Sequence, residues 1–104
     1  MILHRITMRP AIGKGPELQK LLEERVKHRQ SQGVACGLQT QLLSSEGAAF
    51  VQNVRYDDFA AYDRERGRNA TDPAFLSFQA KVTPLLGAPA SQEVFEVLIS
   101  IPPA

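Results

Sequence analysis

The hydrophobic pattern of the chain changes period in a fixed order, and that order limits the fold more than any other feature. Residues 2–9 alternate, with Ile2, His4, Ile6 and Met8 on one face and Leu3, Arg5, Thr7 and Arg9 on the other. Period two with one apolar face is the pattern of a half-buried strand. Pro10 and Gly13-Lys14-Gly15-Pro16 end it. Pro16 suits a first helical turn, where its missing N–H is no loss. Leu18, Leu21, Leu22 and Val26 then fall on one helical stripe, which predicts a helix to about Gln32 with Gly33 as its C-terminal cap.

Period two returns over residues 34–42, and again over residues 48–56, where Phe50, Gln52, Val54 and Tyr56 oppose Ala49, Val51, Asn53 and Arg55. The short loop Ser44-Ser45-Glu46-Gly47 makes these two strands a hairpin. Asp57 or Asp58 can cap a following helix that carries Phe59, Tyr62 and Arg66 on one side. Residues 67–70 are expected to break it, and Asp72-Pro73 to restart it. Phe75, Phe78, Val82, Leu85 and Leu86 form the next apolar stripe, which Pro84, Gly87 and Pro89 end. Residues 93–101 read as a fourth strand. The order β-α-β-β-α-α-β is that of two split β-α-β units. It predicts an α+β, ferredoxin-like domain over residues 1–104, with a four-stranded antiparallel sheet and helices on one face.

At 104 residues the chain has room for one core. Twelve basic and 11 acidic residues leave a net charge of +1, too little to draw in nucleic acid or an acidic membrane by its overall field. Cys36 is the single cysteine, so neither an intrachain disulfide nor a thiolate metal cluster is expected. A cytoplasmic setting is expected from that, from the absence of a signal-peptide core in the first ten residues, and from the absence of any membrane-spanning run.

The first strand running into Gly13-Lys14-Gly15, the segment Tyr56-Asp57-Asp58-Phe59-Ala60-Ala61-Tyr62, the helix opening Asp72-Pro73-Ala74-Phe75 and the final Phe95-Glu96-Val97-Leu98 together resemble the dimeric α+β barrel proteins. Among these the chain is most similar to the antibiotic-biosynthesis-monooxygenase (ABM) superfamily and its NIPSNAP-like members. The similarity covers nearly the whole chain and lies in caps and core positions. It implies a homodimer whose open sheet faces pack into a barrel, and a pocket in each subunit between sheet and helices. The family holds cofactor-independent monooxygenases, haem-degrading enzymes, isomerases and proteins of no assigned activity, so it fixes fold more closely than function. Its haem-degrading members use a tryptophan, an asparagine and a histidine. This chain has no tryptophan, and Asn53 and His4 do not fall at matching positions.

His4 is the one polar side chain on the apolar face of its strand. It reads either as an edge histidine bonded to backbone or water, or as a proton acceptor in the helix-side pocket. Arg25 and Arg29, one turn apart, project near the centre of the first helical stripe. They either snorkel beside a helix C-terminus or offer fixed charge to an anionic ligand or a partner subunit. Tyr62, Phe75 and Phe78 are core aromatics that can also wall a pocket, with Arg66 beside them. Glu24 and His28 have metal-compatible spacing but lie toward solvent with no third ligand, so no metal site is expected, nor any other cofactor. The opposite sheet face gathers Arg5, Arg9, Gln39, Gln41, Asn53, Arg55 and Glu96, with Arg5 and Glu96 as a candidate cross-strand pair and Val51, Val94 and Leu98 needing cover.

These residues predict a pocket with His4 on its floor, Tyr62, Phe75 and Phe78 on its wall, and residues 67–70 at its mouth. A small aromatic or polyketide-like ligand would suit it, either as the substrate of a cofactor-independent monooxygenase or isomerase, or as cargo of a non-catalytic homodimer. The same element order also builds RNA-recognition domains, and Gly47-Ala48-Ala49-Phe50-Val51 echoes one of their motifs. Ala48 and Asn53 stand where base-stacking aromatics belong, however, so RNA binding is the remotest of the three.

Overall fold

The computed structural model describes residues 1–103. Its elements are β1 (Ile2–Met8), α1 (Gly15–Ser31), β2 (Cys36–Gln41), β3 (Ala49–Tyr56), α2 (Phe59–Asn69), α3 (Pro73–Val82), a single 3-10 turn (Thr83–Leu85) and β4 (Ser91–Glu96). The strands form one antiparallel sheet in the order β2-β3-β1-β4, which with the helices makes an α+β, ferredoxin-like domain.

Local chemistry sets the helix ends. Asp58 Oδ1 accepts from the Ala61 N–H at 2.8 Å, and Asp72 Oδ1 accepts from the Ala74 N–H at 3.0 Å. Each capped donor stabilises its helix start by about 1 kcal/mol. After α1 the chain reverses through Gly33, whose φ of +85° is open to glycine and strained for a side chain.

The inner face of β1 meets two environments. Met8 packs with Leu18 and Leu22 of α1, Phe50 of β3, Val82 and Leu85, with Ile6 and Phe78 against them; this is the apolar core. Toward the other end of β1, His4 and Tyr56 meet α2 through Tyr62. That end holds an aromatic and polar cluster.

Three expectations are corrected. The chain around Gly67 does not break α2, which continues to Asn69. One glycine costs a helix only about 1 kcal/mol, and Tyr62 and Glu65 are buried along its inner side. The fourth strand ends at Glu96, not Ile101. Its partner β1 begins at Ile2, and after the Val97 N–H bonds the Met1 carbonyl at 2.9 Å there is no further ladder to join. The faces of β4 are also the reverse of those expected. Val94 stands opposite His4, on the helix side, while Phe95 stands opposite Leu3 on the open face. Arg5 therefore faces Glu93, not Glu96, and its guanidinium lies 5.0 Å from the centre of the Phe95 ring.

Candidate functional site

Between the sheet and the helices lies a cavity of about 930 Å³. The sheet contributes His4, Ile6 and Met8 from β1 and Gln52, Val54 and Tyr56 from β3. Arg25 and Arg29 enter from α1, Tyr62 and Arg66 from α2, and Phe75 and Phe78 from α3. Residues 86–90 and Gln92 close the β4 side, and Asn69 and Ala70 border it at the end of α2. The seven side chains singled out from the sequence, His4, Arg25, Arg29, Tyr62, Arg66, Phe75 and Phe78, thus line one space. They do so unequally. Arg66 stands at the rim with 72% of its side chain exposed, near Asp63 Oδ1 at 3.8 Å, whereas Tyr62 is buried and Phe75 and Phe78 are half-buried.

His4 is held on two sides. Its Nε2 lies 2.9 Å from Gln92 Oε1. An amide oxygen only accepts, so Nε2 donates, and Nδ1 makes no hydrogen bond with the described residues. Its ring meets Tyr62 edge-on, with centroids 5.2 Å apart. Tyr62 also packs edge-on against Tyr56 and, tilted, against Phe59. Such contacts fix ring orientation.

Glu65 stands behind the wall and holds two of its members, Arg29 and Tyr56. It is buried, and both carboxylate oxygens are engaged: Arg29 Nη2 donates to Oε1 and the Tyr56 hydroxyl donates to Oε2. Burial, then the Glu65 hydrogen bond and charge, push the Tyr56 hydroxyl well above the usual phenol range, so it stays protonated and is no base. Arg25 lies with its guanidinium 5.2 Å from the Phe78 ring centre. Burial and the like charge of Arg29 lower its proton affinity.

Three members of this wall, Tyr56, Gln52 and Gln92, and Glu65 behind it are new to the structure. Glu65 lies three residues after Tyr62 and so shares its buried stripe, but a carboxylate there reads as solvated until Arg29 and Tyr56 are known to meet it. Gln52 falls on the inner face of its strand by simple alternation, and its polarity there was a signal. Gln92 lies before the expected start of β4. Cys36 is half-buried, with Sγ 3.7 Å from the Val26 carbonyl, and burial raises its thiol. Among the described residues no group of three or more His, Cys, Asp or Glu side chains is arranged to hold a metal ion, and no helix is long and apolar enough to cross a membrane.

No family model and no curated protein matches the chain. Solved structures do. A NIPSNAP domain protein from Burkholderia xenovorans superposes with a TM-score of 0.79 at 24% identity, over 99% of this chain and all of that one. A NIPSNAP family protein of unknown function from Agrobacterium tumefaciens gives 0.73 at 22% identity, over 91% and 86% of the two chains. A variant of SnoaB, a cofactor-independent oxygenase from Streptomyces nogalater, gives 0.69 at 14% identity, over 98% and 97%. At these identities the likeness establishes a fold: the protein has the architecture of the NIPSNAP and antibiotic-biosynthesis-monooxygenase proteins.

Proposed function

We propose that the protein binds a small planar aromatic or polyketide-like molecule in this cavity and acts on it as a cofactor-independent monooxygenase, with His4 as the proton acceptor. One observation carries the reading. An imidazole fixed by Gln92 and Tyr62, with its second nitrogen unengaged, lies on the floor of a space walled by aromatic rings. Such a wall contacts the faces of a flat ligand, and the imidazole takes the proton of its phenol or enol. The fold shared with an oxygenase that needs no cofactor supports the choice of reaction.

In that reaction the substrate is its own reductant. A phenol becomes a quinone: one atom of O2 enters the ring as the new carbonyl oxygen. The other leaves as water with the phenolic proton and the displaced ring hydrogen, and the ring supplies the four electrons. Removing the phenolic proton raises the electron density of the ring, which is the step that His4 assists. The active unit in this reading is a cytoplasmic homodimer, suited by the single unpaired cysteine and the open sheet face.

A binding role without turnover has one observation in its favour. Tyr56 is locked to Glu65, which leaves His4 to move protons alone. Oxygen uptake by the purified protein with naphthols and anthrones separates the two. Turnover at one quinone per O2, lost in His4→Phe while binding persists more weakly, supports the monooxygenase. Saturable binding with no uptake identifies a carrier. Binding unchanged in His4→Phe overturns the assignment of His4.

A further inference from the structure

The side chains lining the cavity include three arginines, Arg25, Arg29 and Arg66, and no aspartate or glutamate. The chain as a whole is almost balanced, with 12 basic and 11 acidic residues, so the excess is local. Two of these cations are answered within the fold. Arg29 is paired with Glu65, and Arg66 faces Asp63 at the rim. Arg25 has no salt bridge and no side-chain hydrogen bond among the described residues; its close neighbour is the Phe78 ring. Burial and Arg29 both act against its charge, and Asp72 and Glu65 offset this only from beyond salt-bridge distance. A guanidinium so placed gains more from an arriving anion than one already paired or fully solvated.

Gln52 is the second unanswered group. It is 3% exposed, stands on the inner face of β3 between Ile6 and Leu38, and borders the cavity. Its amide makes no side-chain hydrogen bond with the described residues, and its cross-strand neighbours are apolar and offer none. No side-chain nitrogen or oxygen among the described residues is both sealed from solvent and unpartnered, so the amide is reached from the cavity, where water or a bound molecule supplies its partner. Of the other polar side chains around it, His4 is bonded to Gln92, and Tyr56 and Arg29 to Glu65.

We propose that Arg25 and Gln52 recognise an aromatic carboxylic acid, Arg25 receiving the carboxylate and Gln52 bonding a carbonyl or hydroxyl oxygen of the same ligand. This rests on the cavity being the ligand site, and narrows the ligand class from weakly acidic aromatics to acids ionised at neutral pH. A guanidinium matches a carboxylate with parallel N–H···O bonds, and its contact with Phe78 limits its orientations before the ligand arrives. A neutral phenol offers that cation no charge. A glutamine amide supplies both a donor and an acceptor, which suits a hydroxyl or carbonyl beside the acid.

Calorimetric titration with salicylate and its methyl ester, which differ in the charge, tests this at pH 7 and low salt. Wild type is expected to bind salicylate at least about tenfold tighter than the ester. Arg25→Gln removes that preference by weakening salicylate more than the ester; Arg25→Lys, which keeps the charge without the fork, retains part of it. Gln52→Leu weakens both ligands alike. Arg64→Gln, an exposed arginine on α2, leaves the preference in place and checks for a general field effect. Circular dichroism confirms that each variant is folded. Equal binding of acid and ester by wild type overturns the proposal while leaving the cavity as an aromatic site. An acid preference that survives in Arg25→Gln, or falls equally in Arg64→Gln, overturns it as well. If salicylate, its ester and simple phenols all fail to bind, the cavity reading falls and this proposal with it.

Discussion

Arg29 on α1 and Glu65 on α2 lie 36 residues apart in sequence and form an ion pair in which each side chain is only 11% exposed. The pair ties the two helices across the end of the cavity, and Tyr56 of β3 completes it. Glu65 also neutralises one of two neighbouring arginines. Its removal would leave Arg25 and Arg29 uncompensated in a partly dehydrated wall.

Glu65→Gln keeps the shape and a hydrogen-bond acceptor for Tyr56 but removes the charge. Breaking one side of a buried pair costs about 3 kcal/mol, because the remaining ion stays buried alone. In a domain of this size that lowers Tm by on the order of 15 °C. Replacing both partners with apolar residues, Arg29→Met with Glu65→Leu, should recover most of the loss. Thermal and urea unfolding of the three proteins checks this. A Glu65→Gln variant as stable as wild type shows that the pair contributes nothing.

Tyr56 gives stability a pH dependence at the alkaline end. Its hydroxyl loses a proton less readily folded than unfolded, because burial and Glu65 oppose the phenolate. The folded protein therefore holds this proton over a range in which the unfolded chain has released it. Linkage makes stability fall as pH rises through that range. The contribution is complete below the ordinary phenol value of 10.0 and is lost above it. Urea midpoints from pH 8 to pH 11 should decline past about 10 in wild type. Tyr56→Phe starts lower by about 1 kcal/mol for the lost hydrogen bond and declines less steeply. Parallel curves for the two proteins would remove Tyr56 as the cause.

Strand alternation and helical stripes were enough to locate His4, Arg25, Tyr62, Phe75 and Phe78 on the inner side, because a face once buried commits every second or every third-to-fourth residue. They could not orient β4. Val94, Phe95, Val97, Leu98 and Ile99 are all apolar, so either face could have been the inner one, and pairing with β1 made the choice. Nor could they find the partner of Arg29. Sequence spacing exposes pairs one turn apart on a helix, whereas Glu65 reaches Arg29 through packing of separate elements. The end of β4 depended likewise on where its neighbour begins, which is a property of the sheet and not of residues 93–101.

Cys36 should be a slow thiol. Burial disfavours its thiolate, and the charge of Arg29 opposes this less strongly. Since the thiolate is the reactive form, alkylation by iodoacetamide at pH 8 should run several-fold slower than for free cysteine. Arg29→Met should slow it further, by removing a stabilising cation. Faster alkylation in that variant would mean that opening of the structure, not the local field, controls the thiol.

The open sheet face predicts self-association. Leu3, Val51 and Phe95 share it with a row of polar contacts in which Asn53 Nδ2 donates to Gln39 Oε1 at 3.1 Å and Arg5 Nε donates to Asn53 Oδ1 at 3.4 Å. The same guanidinium packs over Phe95. Side chains already bonded to one another lose less on entering an interface than free ones. Leu98, Ile99 and Ile101, each about nine-tenths exposed just beyond β4, add apolar surface that the chain itself leaves uncovered. A second copy related by a two-fold axis would cover both regions at once. Light scattering at micromolar concentration should therefore give about twice the 11.5 kDa chain mass. Phe95→Asp, which replaces an apolar side chain of the open face on the edge strand β4 with a carboxylate, should weaken the dimer at least about tenfold without unfolding the subunit. Leu98→Ser should weaken it less. A wild-type monomer at high micromolar concentration would leave the open face as a solvated surface and end the barrel reading.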